Sequence, residues 1–174
     1  MKRVVLLYGC LAGLILAVSM GATVPFMHHI PNELAMAIGY TTMVIAFLMA
    51  FFGVRAYRDG EGHGAISFGR ALSVALLITL LGSVFYVMAW EIIYHFFMPD
   101  FMESYSAAVL EKARAGGATA AQLAAQTKEM ADFAELYKNP WVSIAFTLLE
   151  PLPVAVLMSF AAALILRRRP LAAA

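Results

Sequence analysis

The sequence predicts an all-α membrane protein: a bundle of four transmembrane helices with a periplasmic helical hairpin between the third and fourth spans. Three observations predict it. Of 174 residues, 63% are hydrophobic and 13% charged, with a mean hydropathy of +0.81, whereas a soluble domain carries roughly 45–50% apolar and about 25% charged residues. Apolar runs long enough for a hydrocarbon core of about 30 Å, which takes about 20 residues at 1.5 Å each, fall at about residues 4–27, 34–54, 71–97 and 142–166. The cations divide unequally between the two sides that four crossings create. Lys2, Arg3, Arg55, Arg58, Arg70, Arg167, Arg168 and Arg169 share one side, against Lys112, Arg114, Lys128 and Lys138 on the other. The positive-inside rule then places both termini in the cytoplasm of a bacterial inner membrane.

The first run begins after Lys2-Arg3 and has small residues near Ser19 and Gly21, which fits a cleaved signal peptide as the alternative; because it stays apolar through Met27, long for the apolar core of such a peptide, it reads first as an uncleaved helix. Within it Gly9, Gly13, Ala17 and Gly21 recur every fourth residue, a ladder that lets another helix backbone approach closely in lipid. Gly39, Ala46, Ala50 and Gly53 make a looser small-residue face on the second run. The turn Asp59-Gly60-Glu61-Gly62-His63-Gly64 has glycines but lacks the Lys-Ser/Thr and the preceding strand of a phosphate-binding loop, and reads as a flexible turn. The third run ends in Tyr94, Phe96 and Phe97, and the fourth begins at Trp141, rings suited to an outer membrane interface.

Between the third and fourth runs, residues 99–139 form the one sizeable polar segment. Asp100 with Glu103, and Thr119 with Gln122, have the spacing of an N-cap and its capping-box partner. Gly116-Gly117 breaks between two helices, and Asn139-Pro140 stops the second. Phe101, Tyr105 and Val109 make one stripe at helical spacing, and Leu123, Met130, Phe133 and Tyr137 another. The stripes fit mutual packing on the outer rim of the bundle, and equally a lid or a partner's docking face.

Ionisable groups inside apolar runs cost several kcal/mol if they face lipid, so they mark interior contacts or sites. Glu91 lies about 9 Å from the outer end of its span and Glu150 about 13 Å from the outer end of its own. His95 follows Glu91 by four residues and shares its face, while His28 and His29 stand at the outer end of the first span. These five are the candidate polar pocket. Three readings stay open: a hydrogen-bonded interior cluster, with the carboxyls protonated or paired to Tyr86, Trp90, Tyr94 or Thr147; a proton- or cation-coupled site beside the carbonyls that Pro151 and Pro153 free; and a divalent-metal site with Glu91, His95 and His28 as ligands. No other cofactor is expected.

Some function classes are excluded. A net charge of +1 offers no basic excess for nucleic acid. Cys10 is the single cysteine, which rules out an intramolecular disulfide and a Cys-based metal site. No nucleophile elbow or kinase motif set is present.

Two stretches carry a family resemblance. Gly64-Ala65-Ile66-Ser67-Phe68-Gly69-Arg70-Ala71-Leu72, and Tyr94-His95-Phe96-Phe97-Met98-Pro99-Asp100-Phe101-Met102 followed by a polar helical insert and Asn139-Pro140, resemble the small bacterial membrane proteins known as domain of unknown function 4199. Trp90-Glu91 and Phe146-Thr147-Leu148-Leu149-Glu150-Pro151-Leu152-Pro153 are similar to its proteobacterial branch. The resemblance implies four membrane helices with an insert before the last, and it brings no functional residue. The expected partners are the lipid bilayer and another membrane protein or a second copy of the chain. The expected role is a non-enzymatic accessory or interaction subunit, or a small transport-related component with a polar intramembrane pocket. The alternative is a metal-dependent membrane enzyme acting at the periplasmic face through His28, His29, Glu91 and His95.

Overall fold

The computed structural model describes residues 1–24, 26 and 30–168 and is all-α. The helices are α1 (Lys2–Thr23), α2 (Asn32–Asp59), α3 (Phe68–Phe97), α4 (Phe101–Ala115), α5 (Ala120–Tyr137), α6 (Pro140–Leu149) and α7 (Leu152–Leu166). α1, α2 and α3 are each long and apolar enough to cross a membrane, and α6 with α7 makes a fourth crossing if the bent pair is one span. The protein is a multi-pass membrane protein. The chain forms two compact units, Met1–Trp90 with Leu148–Ala174, and Glu91–Thr147.

The fourth apolar run is not one continuous helix over 142–166. It breaks between Leu149 and Leu152, and the two pieces are bent by 42°. Pro151 and Pro153 have no N–H to donate to the carbonyls four residues earlier, and each disfavours helical geometry in the residue before it. At the other boundaries α2 runs a further turn past residue 54 to Asp59 and α3 begins three residues early at Phe68. The Arg70 N–H donates to Ser67 Oγ at the start of α3. α1 ends at Thr23, four residues short of the apolar run, and Pro25 and Met27 lie outside the described residues.

In the first unit α3 is the central helix: 44% of its most apolar stretch is buried, against 22% for α1 and α2. Close approach depends on residues without side-chain bulk. A Cβ added at Gly9 would stand 2.7 Å from Leu81 Cδ2, and one at Gly13 would stand 2.5 Å from Phe85 Cβ. From the opposite side, a Cβ at Gly82 of α3 would meet Ala12 Cβ at 3.2 Å and Phe47 Cε1 at 3.3 Å. Gly53 of α2 lies against Ile78 and Tyr8. The ladder on α1 therefore ends before Gly21, which is exposed and has nothing within 4 Å of an added Cβ; Ala17 is half-buried and Gly39 also faces open space.

Polar contacts tie α3 to α7. The hydroxyls of Thr79 and Ser159, both buried, lie 3.2 Å apart. Around them pack Ala50 and Val54 of α2, Val74, Ala75 and Ile78 of α3, and Ala162 and Ala163 of α7. Outward faces stay apolar: Leu6, Leu7, Leu14 and Val18 on α1, and Leu157 and Ile165 on α7, are exposed. Lipid is the solvent such faces fit.

The segment after α2 is wrapped back on the helix end. Gly62 N–H donates to Tyr57 O and Gly64 N–H to Arg58 O, both at 2.9 Å, so these amides are already satisfied and do not point at a phosphate. Gly64 takes φ +84, a left-handed conformation that suits glycine. Ile66 then pairs with Arg168 in an isolated antiparallel bridge, with N–H to O distances of 3.0 and 2.9 Å. The N-terminal ammonium pairs with Glu61. The N-terminus, the α2–α3 connection and the end of α7 thus share one end of this unit.

In the second unit α4 and α5 form a hairpin. Gly117 N–H bonds Arg114 O and Ala118 N–H bonds Ala113 O, with Gly117 at φ +81, a Schellman ending that only a residue tolerant of positive φ completes well. The Thr119/Gln122 capping box is formed: Gln122 N–H donates to Thr119 Oγ1 at 3.3 Å and Thr119 N–H to Gln122 Oε1 at 2.8 Å. The Asp100/Glu103 box is not. Asp100 has φ −93 and ψ 16 and makes no side-chain cap bond, because that near-helical backbone, unlike the extended one of Thr119, turns the carboxylate away from the first-turn N–H groups. Tyr94 meets Phe101 and Tyr137 edge-on, at ring separations of 6.2 and 5.5 Å, and Phe133 meets Phe146 at 5.3 Å. The two aromatic stripes of the hairpin therefore pack onto the ends of α3 and α6.

Replacing Gly13 with Leu is expected to destabilise the protein by about 1–3 kcal/mol through overpacking against Phe85, while Gly21→Leu leaves it within about 0.5 kcal/mol; equilibrium unfolding in detergent distinguishes them. Equal effects at both positions would refute the close α1–α3 approach. A double-mutant cycle on Thr79→Val and Ser159→Ala should return a coupling of about 0.6 kcal/mol.

Candidate functional site

The last two turns of α3 carry Glu91 and His95 four residues apart, which places them on one face. A buried position on α6 supplies their partner. Ser143 is 1% exposed and its Oγ donates to Glu91 Oε1 at 2.6 Å. His95 Nδ1 donates to the Glu91 backbone carbonyl at 2.9 Å, and the same nitrogen stands 3.5 Å from Glu91 Oε2. The carbonyl can only accept, so Nδ1 carries the proton in this arrangement. The Glu91 side chain is 19% exposed and that of His95 53%.

One turn further along α6, Thr147 Oγ1 lies 3.3 Å from the Tyr137 hydroxyl, both buried. α6 thus presents Ser143 and Thr147 inward at helical spacing while Trp141, Phe146 and Leu149 stay exposed. Pro140 at the first helical position and Asn139 before it start this helix, and the Trp141 N–H donates to Asn139 Oδ1 at 3.0 Å.

Glu150 belongs to the other unit, at the break between α6 and α7. Its Oε2 accepts from the Tyr86 hydroxyl at 2.7 Å. Tyr86 is largely buried against Leu16, Met43, Phe47 and Ala155, so the phenol holds the carboxylate from an apolar socket. Each of the two carboxyls therefore has its own hydroxyl donor. Their chemistry differs accordingly: Glu91 is shared between a buried serine and a half-exposed imidazole, and Glu150 is held by a phenol at an exposed corner of the chain.

Among the described residues no three His, Cys, Asp or Glu side chains come together to hold a metal ion. Glu91 and His95 supply two such groups; His28 and His29 lie outside the described residues. Cys10 is a free thiol on an exposed face. Burial also bears on catalysis. Ser143 is 1% exposed, its Oγ closed to a substrate, and its hydroxyl hydrogen is committed to Glu91 Oε1. A hydroxyl so buried and so placed is a support for Glu91.

Tyr86 was legible as a partner of these carboxyls from its ring and its place in the apolar run. Ser143 was not singled out, although its spacing of four from Thr147 within an apolar run is the signal of a polar inward face. Gly82 and the Thr79–Ser159 pair were likewise missed, since isolated small or hydroxyl residues carry no period of their own.

A family model described as a protein of unknown function (DUF4199) matches residues 7–168 of the chain. No curated protein and no solved structure matches it.

Ser143→Ala removes the donor to the half-buried Glu91 and is expected to cost about 1–3 kcal/mol of stability. Tyr86→Phe, which frees a carboxylate at an exposed corner, should cost less, about 0.5–1.5 kcal/mol. Thermal and denaturant unfolding in detergent measure both; a larger loss for Tyr86→Phe would reverse the assignment of Glu91 as the more dependent carboxyl.

Proposed function

The chain belongs to the DUF4199 family, and we propose that it is a four-span inner-membrane protein, both termini cytoplasmic, that works as a non-enzymatic accessory subunit. The observation that carries the reading is the private partner of each intramembrane carboxyl. Glu91 is satisfied by Ser143 and Glu150 by Tyr86, as a structural role requires. A transport site instead needs polar groups left for the substrate or ion to complete. A metal enzyme needs at least three ligands and an open position, and among the described residues Glu91 and His95 bring two.

The topology draws support from charge and from the first unit. The basic residues that flank α1, the α2–α3 connection and α7 accompany a start of α1 and an end of α7 that share one end of that unit, the arrangement that an even number of crossings produces. With that end inside, the α4–α5 hairpin emerges on the periplasmic side. There its exposed faces, with Tyr105 and Leu136 among alternating acids and bases, are open to another membrane protein.

Reporter fusions at Gly62 and after residue 168 are expected to read as cytoplasmic, and a fusion at Gly117 as periplasmic; a cytoplasmic reading at Gly117 would sink the topology. In proteoliposomes the purified protein is expected to show no proton or cation flux above empty vesicles. A flux that Glu91→Gln or Glu150→Gln abolishes would replace the accessory reading with a transport one.

A further inference from the structure

Seven cationic side chains of the first unit gather at one end. Lys2 and Arg3 open α1, Arg55 and Arg58 lie in the last turns of α2, Arg70 is in the first turn of α3, and Arg167 and Arg168 follow α7. These segments are far apart in sequence and are held together by the Ile66–Arg168 backbone bridge and the pairing of the N-terminal ammonium with Glu61. The two acids at this end are occupied: Asp59 accepts from Arg58 Nε at 2.6 Å and faces Arg55 Nε at 3.7 Å, and Glu61 takes the ammonium. Lys2, Arg3, Arg70, Arg167 and Arg168 are all exposed, and among the described residues none of them forms an ion pair within 4 Å of an acid, although Arg168 adds to the positive field of Arg58 and Arg55 that lowers the pKa of Asp59.

Seven cations against two acids at one end of the unit leave a positive excess that attracts anions, and guanidinium groups match the paired oxygens of a phosphodiester. What lies beside the patch selects the source of that phosphodiester. Leu6 and Leu7 follow Lys2 and Arg3 by one turn, and Leu164 and Ile165 precede Arg167 and Arg168; all four are exposed and apolar. An anion with acyl chains satisfies both surfaces at once, its headgroup on the cations and its chains along α1 and α7. We propose that this end of the protein is a binding site for the headgroup of an anionic phospholipid, a phosphatidylglycerol-type phosphodiester, built from three chain segments that the tertiary structure brings together. The site is independent of the accessory role proposed above and requires only that the protein be embedded in lipid.

The test uses the full-length protein in neutral detergent, titrated with phosphatidylglycerol, with phosphatidylcholine, or with inorganic phosphate, and read by lipid-bound species in native mass spectrometry and by the thermal midpoint. Phosphatidylglycerol is expected to bind and raise the midpoint, with an effect that falls as salt rises, whereas phosphatidylcholine and inorganic phosphate do neither. The variant Arg70→Gln/Arg167→Gln/Arg168→Gln should bind phosphatidylglycerol on the order of a hundredfold more weakly, at roughly fivefold per cation. Arg168 takes part in its bridge through backbone atoms, so the substitution leaves that pairing in place. A control with Lys112→Gln/Arg114→Gln/Lys128→Gln on the hairpin should bind as the parent does. If the triple arginine variant fails to melt cooperatively, Arg167→Gln alone serves, with an expected loss of roughly fivefold. Equal binding of phosphatidylcholine, equal loss in the hairpin control, or a midpoint shift reproduced by inorganic phosphate alone would each overturn the proposal.

Discussion

Helices in lipid gain little from burying apolar side chains against one another, because the surrounding chains are equally apolar. Association then depends on how closely backbones approach and on the few hydrogen bonds that close approach allows. In this protein that condition is met around α3. Gly9 and Gly13 of α1 admit Leu81 and Phe85, Gly53 of α2 admits Ile78, and Gly82 leaves room for Ala12 and the ring of Phe47. The large residues are thus seated over glycines on the facing helix, and Phe47 is fully buried. With α1, α2 and α7 all referred to α3, the first unit has one central element on which the rest is assembled.

The same low-polarity surroundings govern the polar groups. A hydroxyl or carboxyl without a partner is costly there, and four pairs are matched across helices: Thr79 with Ser159, Tyr86 with Glu150, Ser143 with Glu91, and Tyr137 with Thr147. The matching has a functional consequence. Glu91 and Glu150 each have a donor of their own, which is the behaviour of groups that specify helix register. The imidazole of His95 beside Glu91 stays half-exposed, as Glu150 stays exposed at the α6–α7 break.

The two kinds of chain end are handled differently. At the basic end of the first unit, glycine N–H groups return to α2 carbonyls and Ile66 pairs with Arg168, so three remote segments become one charged surface. In the second unit, a Schellman ending and a capping box turn α4 into α5, and aromatic rings from Tyr94 to Phe146 give the hairpin its contact with the ends of α3 and α6. Satisfied backbone ends at both places explain why polar connections need no regular structure beyond the helices.

Composition, run length and charge placement were enough to determine that this is an all-α membrane protein with a polar helical insert, because hydropathy and helix period act residue by residue and leave their pattern in the linear chain. The Thr119/Gln122 cap and the glycine break at 116–117 were legible for the same reason. The tertiary structure alone decided that Gly9 and Gly13 are contacts while Gly21 is not. It also decided that Ser143 serves Glu91 and Tyr86 serves Glu150. Those outcomes depend on which face of one helix meets which face of another, a relation between residues more than 50 positions apart that local spacing does not encode.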